Sequence, residues 1–247
     1  MREMLKKEII ADVTKAKGRK RLYHFTRVKN LSVISQFDSL YSSQLLYPQS
    51  NAERRTAPKE VGFRNQNVIV NAHLRIPDQM IDASYTQEQF RACLNGHVFF
   101  WPTIRDCRKM IETYAKREKN EAFAVLEFDA PAFLQEHYAD IKITKYDSGS
   151  SPRYPQKCLY RKSPNMFLPL TLFKSKMCSL VPVKSSEIKE VLVENHASCI
   201  SKHLLAVYTE DFRHIPSCWS KRGKPWSELW NEVGQNKRTG SVESEFF

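Results

Sequence analysis

Glycine is scarce in this chain of 247 residues, which contains only seven glycines. Neither G-x-G-x-x-G nor G-x-x-x-x-G-K-[ST] occurs, so the sequence excludes a Rossmann dinucleotide motif and a P-loop. The H-E-x-x-H signature of metalloproteases and the G-x-S-x-G signature of many hydrolases are also missing. A nucleotide site in this protein therefore has to be built without a glycine fingerprint.

Cysteine pairs and long apolar runs are missing as well. The six cysteines are scattered, and none has C-x-x-C spacing or a zinc-finger spacing to a histidine pair. We therefore expect thiols in a reducing cytosol, with no metal site and no disulfide framework. No apolar run approaches the roughly 18 residues of a membrane span, and MREMLKKEII lacks the apolar segment of a secretory signal. These absences predict a cytoplasmic protein without a membrane partner.

Positive charge, in contrast, is abundant. The chain has 39 Lys and Arg against 27 Asp and Glu, a formal net charge of +12. Such a surplus attracts polyanions, above all nucleic acid, and it also suits an acidic protein partner. A basic surface without a dedicated ligand explains the same surplus, so charge alone does not choose between these alternatives.

Apolar periodicity predicts a mixed architecture. Helices are predicted over residues 2–17, 28–36, 86–94, 103–119 and 131–138, with Gly18 as a cap after the first. Strands are predicted over 22–25, 68–70, 97–101, 122–128, 141–144, 180–183, 188–193 and 204–208, and long loops over 48–66 and 145–165. Helices thus concentrate in the first half and strands in the second, which favours an α+β fold. We expect one domain over 1–247, with a core from about 20 to 210 and a peripheral N-terminal helix and C-terminal tail.

Two short segments contain polar residues in otherwise apolar strands. In LYHFT, His24 and Thr26 close the first strand, and Asn30 then opens a helix. In EIKEVLV, strand alternation places Glu190 on the same face as Leu192. A carboxylate that points into an apolar interior needs a partner or a function. Each segment alone is also compatible with a hydrogen-bonded core histidine or a solvated glutamate.

Together with a third segment, they resemble the DarT-type ADP-ribosyltransferase toxins. LYHFTRVKNLSVI is similar to the N-terminal motif of that family, HVFFWPTIRDC to its second motif, and IKEVLV to its catalytic strand. The segments follow the family order and cover the chain from about residue 22 to 208. The resemblance implies a single-domain ADP-ribosyltransferase fold, in which a split mixed β-sheet core flanked by helices binds NAD in a cleft.

The resemblance also implies roles for individual residues. Glu190 is the expected catalytic carboxylate, assisted by Arg105, which stands about one position from the family's arginine. His24 is expected to contact the adenosine-side ribose, and an aromatic side chain to stack on nicotinamide. The expected NAD-binding residues are His24, Phe25, Thr26, Asn30, Leu31, Tyr41 and Phe100, with Tyr114 as a further aromatic candidate. A carboxylate suits this chemistry because cleavage of the ribose–nicotinamide bond passes through an oxocarbenium-like transition state.

The acceptor is predicted from the loop over 145–165. Five basic residues there face one acid, a net charge of +4, and three tyrosines are interleaved with them. Basic groups bind phosphates and tyrosines stack on unpaired bases, so the loop predicts a single-strand contact. The expected contact residues are Arg153, Tyr154, Lys157, Tyr160, Arg161 and Lys162. A solvated loop with its tyrosines packed beneath it is the alternative.

The predicted function is an NAD-dependent toxin that modifies bases of single-stranded RNA or, next in preference, DNA. The resembled family includes thymidine-modifying toxins and the messenger-RNA-modifying CmdT type of a toxin–antitoxin–chaperone phage-defence system, so an antitoxin and a chaperone are implied partners. A protein or small-molecule acceptor is the first alternative. Arginine is disfavoured as that acceptor, because Ile188 stands where arginine-specific transferases carry Gln or Glu. A non-catalytic binding module is the second alternative.

Overall fold

The computed structural model describes residues 2–50 and 53–231. This part of the chain contains seven α-helices: α1 Arg2–Val13, α2 Leu31–Phe37, α3 Ser43–Leu46, α4 Gln87–Asn95, α5 Ile104–Arg117, α6 Ala130–Glu136 and α7 Glu228–Asn231. It also contains twelve strands: β1 Arg21–Arg27, β2 Ser39–Tyr41, β3 Lys59–Phe63, β4 Gln66–Val70, β5 His97–Phe100, β6 Phe123–Asp129, β7 Ile141–Thr144, β8 Leu168–Pro169, β9 Glu190–Glu194, β10 His196–Ser198, β11 Leu204–Thr209 and β12 Gly223–Pro225. The tail predicted from Gly234 onward lies outside the described residues.

Two four-stranded sheets form the centre of the fold. The first has the order β1-β6-β11-β12, antiparallel except for the parallel pair β11–β12. The second has the order β5-β9-β7-β8 and is antiparallel throughout. The pairs β3–β4 and β2–β10 stand beside them. The structure therefore confirms the predicted α+β class with a split, mixed sheet core.

The two sheets meet where β1 touches the end of β5. The amide of Tyr23 donates to the carbonyl of Trp101 at 3.0 Å, and the amide of Trp101 donates back at 2.9 Å. Within the described residues, Tyr23 and Trp101 form an isolated antiparallel bridge between the two sheets. The opening between them holds the candidate site.

Strand β9 is buried on both faces. Val191 and Val193 pack into the main core, while Leu192 packs with Phe90 and Met166 on the opposite face. The sequence VLV is apolar throughout for this reason, since a strand covered on both sides cannot alternate polar and apolar residues. The glutamate at the start of β9 is consequently buried too.

Capping residues explain why several predicted helices are confirmed. The Thr86 side chain accepts from the Gln89 amide and the Gln89 side chain accepts in return, which begins α4 with a capping box. Thr103 accepts from the Asp106 amide and begins α5 as predicted. Pro131 lies in the first turn of α6.

Several predicted boundaries are wrong. Helix α1 ends at Val13, and Gly18 lies inside a short 3₁₀ turn over Lys17–Arg19 rather than at a helix cap. Residues 180–183 form turns, because Pro182 has no amide hydrogen for a strand ladder. In α1, Ile9, Ile10 and Val13 pack into the core, whereas Met4 and Leu5 are exposed.

The predicted loop over 48–66 contains strand β3, which pairs with β4. The turn between them places Arg64 and Asn65 at φ 48° and 62°, the left-handed geometry of a two-residue hairpin. Asn65 favours that geometry, but the exposed residues Lys59, Glu60 and Gly62 give β3 little apolar pattern. The predicted concentration of helices in the first half is confirmed, since α1 to α5 all precede residue 118, but the predicted concentration of strands in the second half is wrong, because strands β1 to β5 all precede residue 101.

Candidate active site

A cleft opens at the junction of the two sheets, and we call it the active-site cleft. Strands β1 and β5 form one side, β4 and the segment after it form the other, and the start of β9 closes the end. The lining side chains include His24, Phe25, Thr26, Asn30, Tyr41, Ser43, Arg55, Asn71, His73, Asn95, Phe99, Trp101, Tyr114 and Glu190. Most of them are aromatic or polar, and Glu190 is the only carboxylate among the described lining residues.

Glu190 is a buried carboxylate with one oxygen held and the other without a partner. Its side chain is 1% exposed. Oε2 accepts from Thr144 Oγ1 at 2.9 Å, from the Ser148 amide at 3.1 Å and from Ser148 Oγ at 2.7 Å. Oε1 has no hydrogen-bond partner within residues 2–50 and 53–231. Buried polar atoms are nearly always paired, so the unpaired oxygen in the cleft lining makes Glu190 a candidate for a ligand contact.

Burial raises the pKa of Glu190 to about 8. The charge of Asp147 also raises this pKa, whereas the hydrogen bonds from Ser148 and Thr144 and the charge of Lys162 lower it. A buried carboxyl group next to a ligand cleft, with its pKa moved toward neutrality, is typical of acid–base sites.

The raised pKa predicts a pH-dependent stability difference between the wild type and Glu190→Gln. The folded protein holds the Glu190 proton more tightly than the unfolded chain does, so ionisation destabilises the fold as pH rises from the unfolded pKa, about 4.3, toward about 8. We expect Glu190→Gln to raise the melting temperature more at alkaline than at acidic pH. Thermal unfolding at both pH values checks this, and an equal shift at both would contradict it.

Lys162 supports the turn that holds Glu190. Its side chain is 0% exposed, and Nζ donates to the carbonyls of Asp147 and Ser148, the latter at 3.1 Å. Burial lowers the pKa of this ammonium, while the charges of Asp147 and Glu190 raise it. The prediction that Lys162 contacts nucleic acid is therefore wrong, because the group lies inside the protein. The loop over 145–165 also helps to build the active-site cleft, through Gly149 in the cleft wall.

His24 lies on the cleft side of β1. Its Nδ1 is 2.9 Å from the carbonyl of Phe99, and burial lowers its pKa to about 4. The ring is therefore neutral at physiological pH, and Nδ1 carries the hydrogen because a carbonyl can only accept. Nε2 is left as an acceptor, which suits a hydroxyl group such as that of a ribose.

The structure places most of the other predicted NAD-binding residues in the cleft wall. Phe25, Thr26 and Tyr41 line it. Asn30 lines it as well and exchanges two hydrogen bonds with the backbone of Ile69, which fixes β4 against the helix start. Tyr114 also lines the cleft, and its hydroxyl donates to the Ala72 carbonyl at 2.7 Å.

Three predicted site residues lie elsewhere. Leu31 is fully buried in the main core, where it is the first residue of α2. Phe100 packs against Phe128 and Phe133 in that core, because the alternation of β5 turns Phe99 toward the cleft instead. Arg105 is exposed on α5, away from the cleft wall. The predicted roles of Leu31, Phe100 and Arg105 are corrected accordingly.

A hydrogen-bond network on the side of the cleft opposite β1 was not predicted from the sequence. The Arg55 amide donates to His73 Nδ1 at 2.9 Å, and His73 Nε2 lies 2.8 Å from Asn95 Oδ1. Arg55 Nη2 also donates to Asn95 Oδ1, at 3.1 Å, and to Ser43 Oγ, at 3.2 Å. Burial lowers the pKa of His73 to about 4, so its neutral ring donates through Nε2.

The Arg55 guanidinium is a cation with neutral hydrogen-bond partners. No carboxylate within the described ranges forms an ion pair with it, and burial lowers its pKa to about 10. A half-buried cation with neutral partners can bind an anionic ligand. The only sequence signal was a pair of arginines in a segment predicted as a solvated loop.

Four of the other predicted contact residues in the loop over 145–165 are exposed, namely Arg153, Tyr154, Lys157 and Arg161, whereas Tyr160 is half-buried. Arg153 and Lys157 both approach the exposed Tyr154 ring, with 5.4 Å from each cation to its centroid. Tyr160 stacks on Tyr146 at 3.8 Å, and Arg161 donates to the carbonyls of Cys158 and Tyr160. Arg153, Tyr154, Lys157 and Arg161 thus remain available for an external ligand, whereas Tyr160 is engaged in a ring stack.

Across residues 2–50 and 53–231, no three His, Cys, Asp or Glu side chains converge as a metal site. In the same ranges, each helix is too short or too polar to cross a bilayer.

Comparison with known proteins places the chain in a family. No curated protein matches it. DarT of Thermus sp. 2.9 in complex with NAD+ is similar over 91% of this chain and 92% of that chain, at 11% identity and a TM-score of 0.38. The carba-NAD+ complex of the same protein is similar over 89% and 91%, at 12% identity and a TM-score of 0.38. Residues 20–204 match DUF7002, a family of unknown function, and the chain belongs to this family.

Proposed function

We propose that this protein is an NAD-dependent ADP-ribosyltransferase and that Glu190 is its catalytic carboxylate. The observation behind the proposal is the state of that side chain: buried in the cleft wall, anchored through Oε2 and unpartnered at Oε1 among the described residues. A preorganised, water-excluded carboxylate stabilises positive charge on a sugar ring far better than a solvated one.

The chemistry of the cleft fits the parts of NAD. Arg55 offers a cation to the diphosphate, and neutral His24 offers an acceptor nitrogen to a ribose hydroxyl. Phe99, Trp101 and Tyr41 offer aromatic surface to the positively charged nicotinamide ring. These assignments need no glycine-rich loop, in keeping with the shortage of glycine.

In the proposed reaction, Glu190 Oε1 accepts a hydrogen bond from the ribose 2′-hydroxyl. The bond between ribose C1 and the nicotinamide nitrogen breaks, and its electron pair neutralises the nicotinamide. The developing oxocarbenium charge lies next to the carboxylate, which contributes about 3–4 kcal/mol to its stabilisation. A lone pair of the acceptor then forms the new bond to C1, and the acceptor proton passes to Glu190 or to water.

Single-stranded nucleic acid is the proposed acceptor, with RNA preferred over DNA. The exposed cations Arg153, Lys157 and Arg161 beside Tyr154 support a phosphate-and-base contact near the cleft. Ile188, fully buried two residues before Glu190, offers no polar group to a protein arginine. A cytoplasmic toxin of this kind requires an antitoxin that neutralises it. The proposal also includes a chaperone partner and a role in phage defence.

Incubation with NAD labelled in its adenylate moiety tests both donor and acceptor. Separate pools of single-stranded RNA, single-stranded DNA and protein are added, and each pool is analysed for label. We expect label in the RNA pool and, more weakly, in DNA. Label in the protein pool alone would contradict nucleic acid as the acceptor, but it would still support cleavage of NAD by this protein. If no pool is labelled and no NAD is consumed, the proposed transferase activity is contradicted.

Neutralising the exposed loop cations is expected to weaken binding of single strands. In the triple variant Arg153→Gln, Lys157→Gln and Arg161→Gln, each lost phosphate contact should reduce the slope of log affinity against log salt by about 0.7. Lys162 stays unchanged, because its neutralisation would disturb Glu190 instead. Fluorescence anisotropy over a salt series measures the slope, and a slope equal to that of the wild type would contradict the contact.

A further inference from the structure

A second cleft, lined by arginines, joins the active-site cleft. Arg54, Arg75 and Arg91 are the cations in its described lining, and we call it the arginine cleft. It shares His73, Leu74, Leu94 and Gly149 with the active-site cleft, so the two clefts adjoin. The proposed transfer chemistry does not use these three arginines.

The arginine cleft has an excess of positive charge. Within the described lining, three guanidinium groups face one carboxylate, that of Asp78, which accepts from Gln87 Nε2 at 3.0 Å. Burial and the charge of Arg54 lower the pKa of Arg91, whereas the charge of Glu88 raises it. Arg54 and Arg91 both help to lower the pKa of His73. Like charges are therefore held close together, and a bound anion would relieve their repulsion.

The position of the arginine cleft connects it with both the loop cations and Glu190. The 3₁₀ turn Asp78–Met80 at its rim packs against the turn Pro155–Lys157 of the basic loop. The Lys162 amide donates to the Met80 carbonyl, and the Asp82 amide donates to the Lys162 carbonyl. Gly149, in the wall that both clefts share, directly follows the serine that holds Glu190. These contacts place the basic loop beside the arginine cleft, and the arginine cleft beside the wall that carries Glu190.

We propose that the arginine cleft binds backbone phosphates of the acceptor strand and guides the target nucleotide toward Glu190. This inference rests on the proposed function and assigns the acceptor side of the same site. Arg54 and Arg75 are exposed, which suits a long polyanion that passes along an open cleft. Arg55, inside the active-site cleft, is the separate cation for the donor diphosphate.

The test compares two triple variants that lose the same charge. One carries Arg54→Gln, Arg75→Gln and Arg91→Gln, and the control carries Lys116→Gln, Lys119→Gln and Lys176→Gln, all exposed and outside both clefts. A short fluorescein-labelled single strand of mixed sequence, as RNA and as DNA, is titrated by anisotropy over a salt series. We expect the arginine variant to bind at least about tenfold more weakly than the control, with a log–log salt slope smaller by about 2.

Three results would overturn the inference. Equal affinity in the two variants, or no binding of single strands by the wild type, would remove the arginine cleft as a strand site. A rise in the KM for NAD without a loss of strand affinity would assign the cleft to the donor diphosphate. Strand binding is measured without NAD, so the test of the arginine cleft can be interpreted even if the protein has no transferase activity.

Discussion

Glu190→Gln is expected to lower the rate of nicotinamide release from NAD by at least about a hundredfold while the protein stays folded. Glutamine retains an oxygen that can accept from Thr144 and Ser148, so the anchoring contacts survive. The negative charge opposite the developing oxocarbenium ion is lost, and that charge is the catalytic contribution. Initial rates above pH 8, where Glu190 is ionised in the wild type, give the largest difference.

Glu194→Gln is the matched control for this experiment. Glu194 ends the same strand, is exposed and pairs with Lys142 at 3.1 Å. Its replacement is expected to leave the rate within a factor of two of the wild type. A Glu190→Gln variant that retains most of its activity, or equal losses in the two variants, would contradict the assignment of Glu190.

Lys162→Met is expected to reduce activity at neutral pH by at least about tenfold and to move the acid side of the pH profile upward. The Lys162 charge lowers the pKa of Glu190, so its removal raises that pKa further and keeps the carboxyl protonated to higher pH. The carbonyls of Asp147 and Ser148 also lose their donor, which loosens the turn that anchors Oε2. Asp147 and Tyr160, the other titratable groups that interact with Glu190, are not substituted in this variant.

The pH profile separates this positioning role from a merely structural one. Lys162→Arg keeps the positive charge and is expected to keep the acid side of the profile close to that of the wild type, even with a lower rate. The profile of nicotinamide release is recorded for both variants. A lower rate in Lys162→Met with an unmoved profile would show that Lys162 only stabilises the fold.

The sequence motifs predicted two residues of the candidate site, His24 and Glu190, but not the side chains that line the far side of the cleft. His24 and Glu190 occupy short strands whose patterns are local, and both reach the active-site cleft as predicted. Phe100 was predicted to line the cleft, but Phe99 does so. Strand β5 is apolar on both faces, so periodicity cannot show which face lines the cleft. Sheet pairing with β9 decides it, and that pairing is a long-range contact.

Lys162 and Arg55 show the same limit for charged residues. In sequence, Lys162 follows Arg161 in a basic loop and is indistinguishable from a surface lysine, yet it folds into the interior beneath Asp147 and Ser148. Arg55 meets Asn95, which lies 40 residues away along the chain. Composition predicts that such cations exist, but only the tertiary fold decides which of them face solvent.

In the proposed mechanism, the ionised carboxylate of Glu190 promotes the cleavage of NAD in the active-site cleft. This role is tested by a pH profile of nicotinamide release by the wild-type protein, from mildly acidic to alkaline conditions. We expect release to rise with pH through about 8, the raised pKa of Glu190, and to lack that rise in Glu190→Gln. Release that is absent at every pH, or a profile that is the same in wild type and Glu190→Gln, would contradict this role.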